Sequence, residues 1–115
     1  MDNNTFVNRL IEETESKEIK WQEIDDPFKT HREYQVEGKN GTQVVARQVN
    51  VEQYEEDGVS HITQRFILEI QDELGIDLGY IYENDLFEPS DMRKLYRLAQ
   101  QNANKVDERM DGFFG

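Results

Sequence analysis

Cysteine is absent from this chain of 115 residues, and only two prolines and one tryptophan occur in it. Without cysteine there is no thiolate nucleophile, zinc–thiolate site, iron–sulfur cluster or disulfide framework. No apolar run exceeds the length of Phe66–Ile67–Leu68, which is far too short to span a membrane. The polar, acidic start Met1–Asn4 does not resemble a signal peptide. We therefore expect a soluble, cytoplasmic protein without a membrane partner.

Basic residues are also few, and their distribution is uneven. The chain has 13 Lys+Arg against 25 Asp+Glu, a net charge of −12 at pH 7. Residues 1–51 carry 10 acids and 7 bases (−3), residues 52–91 carry 12 acids and one base (−11), and residues 92–115 carry 3 acids and 5 bases (+2). This balance opposes direct binding to nucleic-acid phosphates and favours a basic protein partner.

The length and composition predict one domain over residues 1–115. A chain of this size can bury a core without a metal or disulfides. Apolar residues make up 36% of the chain and charged residues 33%, yet five Tyr, six Phe and one Trp accompany clear periodic segments. We expect a folded domain with a heavily charged surface.

Helical periodicity marks both ends of the chain. Between Asn4 and Ser16 the apolar residues recur on one helical stripe, with Asn3 or Asn4 as the N-cap. The Pro89–Ser90–Asp91 sequence predicts the start of a final helix of about five turns. Its apolar positions follow spacings of three and four: Met92, Leu95, Tyr96, Ala99, Ala103, Val106 and Met110.

Strand signals occupy the middle of the chain. We expect a short strand at Ile19–Ile24, then a hairpin whose strands, His31–Val36 and Thr42–Tyr54, flank Gly38–Lys39–Asn40–Gly41. The Asn-Gly pair readily supplies the positive φ angles of a tight turn. A second turn at residues 55–58 leads into the next strand, which ends before the turn at residues 72–75.

The last two strands each show a period of two. In the first, Ile62, Phe66, Leu68 and Ile70 share one face, which we expect to be buried, with polar residues on the other. In the second, the same reasoning places four residues inward: Ile76, Leu78, Tyr80 and Tyr82. The predicted fold is α+β, an antiparallel meander of four to five strands covered by an N-terminal and a C-terminal amphipathic helix.

The two ends of the chain resemble those of a group of bacterial proteins. An opening helix leads into "SKEIKWQEI", a meander follows, and the closing helix reads "DMRKLYRLAQQNANKVDERMD". This arrangement resembles small helix–meander–helix proteins of Gram-positive genomes and mobile elements, a group with no known activity. The resemblance implies the fold and a bacterial or phage origin.

The acids of the late sheet are the candidate site. We expect them to cluster in space, with the turns at residues 55–58 and 72–75 as adjacent hairpin tips. Aromatic anchors inside a polar rim are typical of protein interfaces, and Tyr54 and Phe87 are expected to be exposed. The candidate partner-binding residues are Glu52, Tyr54, Glu55, Glu56, Asp57, Asp72, Glu73, Asp77, Glu83, Asp85 and Phe87.

The sequence gives no catalytic, cofactor or metal site. His31 and His61 have no metal-ligand spacing and no neighbouring nucleophile, although His61 could pair with Glu52 across the hairpin. The acidic turns lack the ligand pattern of an EF-hand. A cation-dependent hydrolase, which needs convergent carboxylates in a cleft, is the weakest hypothesis.

Two hypotheses for function follow. The first is a non-enzymatic acidic protein-binding module that occludes a basic partner, in its sharpest form a phage or mobile-element inhibitor or nucleic-acid mimic. Same-face strand residues repeat at about 6.8 Å, near the phosphate spacing of DNA. The alternative is a structural, self-associating domain, a homodimer through Phe113–Phe114 or a sheet edge, whose acids maintain solubility.

Overall fold

The fold is one antiparallel sheet with helices on one face. The computed structural model describes residues 1–28 and 31–115. The sheet has five strands in the order β1-β2-β3-β4-β5. These are β1 (Gln22–Ile24), β2 (Glu33–Glu37), β3 (Gln43–Tyr54), β4 (Ser60–Gln71) and β5 (Asp77–Tyr82). The predicted α+β meander is confirmed, with β1 and β5 as its two edge strands.

Three helices flank the strands in sequence. They are α1 (Asn3–Glu15), α2 (Ser90–Ala103) and α3 (Val106–Asp111), and a 3₁₀ turn at Glu83–Asp85 follows β5. The first helix begins one residue earlier than expected, because the Asp2 carboxylate accepts a hydrogen bond from the Thr5 N–H at 2.7 Å. None of the helices within the described ranges has the length and apolar character needed to cross a bilayer.

The core lies between the helices and one sheet face. Tyr34, Ala46, Leu68 and Ile81 stand opposite one another on β2, β3, β4 and β5, and all four are buried. Helix α2 covers this row through four buried residues, Met92, Leu95, Tyr96 and Ala99, and α1 contributes Val7, Leu10 and Ile11. The sheet face opposite the helices, which we call the open face, has no helix over it within the described ranges.

The first hairpin forms at the expected turn. Gly38 donates its N–H to the carbonyl of Thr42 at 2.8 Å, and Gly41 adopts a φ of 86°. Asn40 does not take a positive φ, so only the glycine of the Asn-Gly pair uses the left-handed region. The short strand expected at Ile19–Ile24 is confined to Gln22–Ile24, because Trp21 is buried and donates its indole N–H to Thr14.

The final helix is interrupted where a continuous one was expected. Lys105 has a φ of 53°, in the left-handed region, and separates α2 from α3. The Asn102 side chain accepts the Trp21 N–H at 2.7 Å and donates to the Ile19 carbonyl at 3.2 Å, which joins the end of α2 to the residues before β1. Met110, expected on the buried stripe, is exposed in α3.

The far half of the β3–β4 hairpin extends beyond the helix layer. We call residues 50–64 the arm; its two strands pair with each other, and its side chains are exposed or, at Thr63, half-buried. Ile62, expected to be buried, is 72% exposed because no helix reaches this part of the hairpin.

Candidate functional site

The expected site residues fall into separate groups. The tip of the arm holds Glu52, Tyr54, Glu55, Glu56 and Asp57. The remaining residues lie in a second region, which we call the edge segment and define as residues 72–91. It contains the turn after β4, the edge strand β5, the 3₁₀ turn and the start of α2, and thus Asp72, Glu73, Asp77, Glu83, Asp85 and Phe87.

The two acidic turns do not form one surface. The arm tip precedes β4 and the turn at residues 72–76 follows it, so the 12 residues of β4 separate them. At a rise of about 3.3 Å per residue this is about 40 Å, several Debye lengths at physiological salt. The expectation of adjacent tips is wrong, because consecutive turns of a meander lie at opposite ends of the sheet. The turn at 72–76 instead lies beside the first hairpin, where the Gln43 amide approaches the Glu73 carbonyl at 3.4 Å.

On the arm, the expected histidine pair has a different partner. His61 stands opposite Gln53, and its Nε2 lies 3.2 Å from Glu55 Oε1 rather than beside Glu52. Tyr54 is exposed, as expected.

Several acids of the edge segment bind backbone N–H groups. Asp72 Oδ1 accepts from Leu74 and Ile76, both at 2.9 Å, which closes the β4–β5 turn. Asp85 Oδ2 accepts the Tyr82 N–H at 2.8 Å. Glu83 accepts the Phe66 N–H at 2.7 Å and lies 3.4 Å from the Arg65 guanidinium. These carboxylates therefore fix the ends of β5 as well as contributing charge.

On β5, three residues that were expected to be buried are exposed: Leu78, Tyr80 and Tyr82. The register pairs Ile81 with buried Leu68, so Ile81 is the inward residue. A β-bulge between Ile70 and Gln71 shifts the register where β5 begins. The exposed large apolar residues of the edge segment are Leu74, Ile76, Leu78, Tyr80, Tyr82 and Phe87. Of these, only the exposure of Phe87 was expected.

Two of these aromatic side chains pack against each other on the open face. The rings of Tyr80 and Tyr82 are stacked, with centroids 6.0 Å apart and an interplanar angle of 25°. The Tyr80 hydroxyl donates to Asp77 Oδ2 at 3.0 Å. The edge segment thus presents rigid aromatic surface beside carboxylates, a combination typical of interaction sites.

A buried charged cluster lies on the open face next to β5. Glu69, on β4, is only 2% exposed, and its Oε2 lies 3.1 Å from Arg47 NH1. Arg47 Nε in turn lies 3.0 Å from Glu33 Oε1. Both contacts lie within ion-pair distance. Among the described residues, however, Arg47 Nε and Glu69 Oε2 have no partner with hydrogen-bond geometry. The period of two along β4 predicts that Glu69 lies on the exposed, polar face of the strand. The structure instead buries Glu69, and Arg47 on β3 balances its charge.

Glu69 and Asp77 form a carboxyl pair with opposite pKa shifts. Burial, and then the hydrogen bond to Asp77, raise the pKa of Glu69 above its ordinary value. The hydrogen bond from Glu69, and then the one from Tyr80, lower the pKa of Asp77. Of the two carboxyl groups, Glu69 is therefore the one that is protonated first as pH falls, and Asp77 is the one that stays ionised to lower pH.

One groove lies away from the carboxyl pair and from β5. This groove of about 1060 Å³ runs between α1 and the first hairpin over an apolar floor that includes Phe6, Ile19 and Val36. It is lined by none of the expected site residues. Among residues 1–28 and 31–115, no group of three or more His, Asp or Glu side chains is placed to hold a metal ion.

Comparisons with protein-family models, curated proteins and solved structures gave no match. The resemblance to small bacterial helix–meander–helix proteins stays a prediction. The function must therefore be argued from the geometry of the edge segment and the arm.

Proposed function

We propose that this protein is a non-enzymatic acidic binding module that occludes a basic surface of a partner protein through its edge segment. The observation that carries the proposal is the composition of residues 72–91. This segment holds seven acids and no Lys or Arg, and six large apolar residues in it are exposed. Among the described strands, β5 is also the longer of the two edges of the sheet.

The chemistry of the edge segment fits a basic protein partner. Carboxylates raise the rate of encounter with a basic surface and orient it, whereas buried aromatic and aliphatic contacts supply most of the affinity. Tyr80 and Tyr82 are held by stacking and by the bond to Asp77, so little side-chain entropy is lost when a partner covers them.

Occlusion is a better mechanism for this geometry than mimicry of a nucleic acid. Mimicry needs a row of exposed carboxylates along one strand face, but Glu69 is buried against Arg47 in the middle of β4. A mixed acidic and aromatic edge can instead cover a basic cleft without reproducing a phosphate backbone. The arm, which holds Glu52, Tyr54 and the tip acids, lies outside this contact.

A pull-down from host lysate at low and high salt, with mass spectrometry of the captured proteins, tests the proposal. The edge variant combines Leu78→Ser with Glu73→Gln and Glu88→Gln, which avoids the acids that bind backbone N–H groups. The matched control on the arm combines Val59→Ser with Glu55→Gln and Glu56→Gln. We expect capture of a basic protein that is lost at high salt and with the edge variant, and kept with the control. Capture that is unaffected by both salt and the edge variant would reject the proposal.

Self-association remains the second candidate, and one observation favours it. Phe113 and Phe114 are both exposed and pack edge to face, with ring centroids 4.9 Å apart. Sedimentation in high salt separates the candidates, because a dimer built on these rings persists when charge is screened and disappears when residues 111–115 are deleted.

A further inference from the structure

The hydrogen bonds around β5 show which of its backbone groups face outward. Phe66 directs its N–H toward the β5 side of β4, where Glu83 accepts it. Tyr82 donates its N–H to Asp85 rather than to its partner Ile67. Inward and outward pairs alternate along an antiparallel ladder. Ile81 and Gly79 therefore bond to β4, and Tyr80 between them directs its N–H and C=O away from the sheet.

We propose that β5 accepts an extended basic segment of the partner as a sixth strand of the sheet. This inference rests on the proposed function and specifies how the partner binds. An unpaired edge strand offers backbone hydrogen bonds to any extended chain, and side-chain contacts decide which chain binds. Here those contacts are the exposed rings of Tyr80 and Tyr82 on the open face and the acids at both ends of β5.

The glycine in β5 provides space for the added strand. A Cβ built on Gly79 meets no atom within 4 Å, so the helix-side surface of β5 has a gap at this position. A glycine within a strand often marks a place where another chain approaches closely. A large partner side chain fits above Gly79, while a neighbouring residue of the added strand lies beside Tyr80 on the open face.

Charge selects a basic segment over a second copy of this chain. Pairing β5 with β5 of another molecule would bring two segments together, each with seven acids and no Lys or Arg. Like charges placed opposite each other destabilise strand pairing, whereas Lys or Arg on the added strand would lie near Asp77 at one end of β5 and Asp85 at the other. The Asp85 carboxylate covers the N–H of Tyr82, so the added strand ends there.

Amide hydrogen exchange of the full chain, followed by NMR, tests strand addition. The probe is the peptide acetyl-Arg-Val-Lys-Val-Arg-Val-Lys-amide, and the control is the same peptide with alternate residues N-methylated. We expect the probe to slow exchange of the Tyr80 amide by about tenfold or more, with little change at Ile81, which already bonds to β4. The control peptide keeps the charge and loses this protection.

A pair of protein variants checks the same contact. Tyr80→Pro removes an outward N–H without removing a bond to β4, and Tyr80→Val removes the ring but keeps the N–H. Strand addition predicts that Tyr80→Pro loses the probe and Tyr80→Val only weakens it.

The outcomes of these experiments test strand addition independently of the proposed function. Binding of the probe without protection of the Tyr80 amide, or no protection at the highest soluble peptide concentration, overturns strand addition, even where the lysate partner is still lost with the edge variant. Protection that grows with protein concentration when no peptide is present identifies a second copy as the added strand and also overturns the proposal.

Discussion

At the scale of single residues, the open face is organised by Arg47 and the carboxyl pair beside it. Arg47 balances Glu69, which is buried where the sheet has no helix over it. The burial of Glu69 could not be predicted from the sequence. Polar and apolar residues alternate along this strand, and Glu69 lies at a position where such a pattern predicts an exposed residue. Its burial comes from neighbouring side chains on β3 and β5, and the strand register alone brings those together.

The pKa directions give the pair a definite pH dependence. The raised pKa of Glu69 means that its contribution to stability is complete below the ordinary value of 4.5 and is lost as pH rises through the raised pKa. The lowered pKa of Asp77 means that its contribution is complete above 3.8 and is lost as pH falls through the lowered pKa. Above pH 4.5 the ionised Glu69 therefore depends increasingly on Arg47.

We predict that Arg47→Met lowers the free energy of unfolding by about 3 kcal/mol near pH 8, because it leaves a buried carboxylate without its cation. The loss should be smaller near pH 5, where a larger fraction of Glu69 is protonated. Urea unfolding at pH 5 and at pH 8 measures the loss of unfolding free energy. Both pH values lie above the sequence pI of about 4.5. The double variant with Glu69→Gln should recover part of the loss at pH 8. An equal loss at both pH values would contradict the assigned role of Arg47.

At the scale of elements, the sequence predicted which segments form strands and helices. The prediction failed where one apolar pattern is compatible with two different structures. The hairpin at Gly38–Gly41 and the stripe through Met92 and Leu95 were predicted because turn chemistry and helical periodicity are local. The phase of β5 was wrong because Ile81 is apolar too, and pairing with Leu68 decides which face is inward. The break at Lys105 escaped prediction because the apolar spacing continues across it.

We predict that Asn102→Ala lowers the free energy of unfolding by about 1 to 3 kcal/mol, because it leaves the Trp21 N–H and the Ile19 carbonyl without their partner. Gln101→Ala, one residue earlier on the exposed side of α2, is the matched control and should change stability by less than about 0.5 kcal/mol. Chemical denaturation of the three proteins measures the difference. Equal effects of the two substitutions would show that Asn102 does not join α2 to the residues before β1.

Shortening the arm gives a second prediction at this scale. Val49 and Arg65 stand opposite each other, so an Asn-Gly turn can join them in place of residues 50–64. Because the arm contributes almost no buried side chains, we expect the free energy of unfolding to change by no more than about 1 kcal/mol. Thermal unfolding followed by circular dichroism measures this, and collapse of the fold would show that the arm contributes to the core.

At the scale of the whole molecule, the connectivity decides what the charge can do. The sequence showed that residues 52–91 carry almost all of the net charge, but the meander divides these acids between the arm and the edge segment. The alternation of turns in an antiparallel meander already predicts this division, whereas the exposure of the β5 aromatics depends on a register that the sequence does not contain. The proposed contact therefore lies where charge, exposed rings and an edge strand coincide.

The most direct test is calorimetric titration of the captured partner with three proteins: the wild type, the arm-shortened protein and the edge variant. We predict that the arm-shortened protein binds within a few fold of the wild type and that the edge variant loses at least about tenfold in affinity. The opposite order, with binding lost on shortening the arm and kept in the edge variant, would place the site on the arm and reject the proposed function.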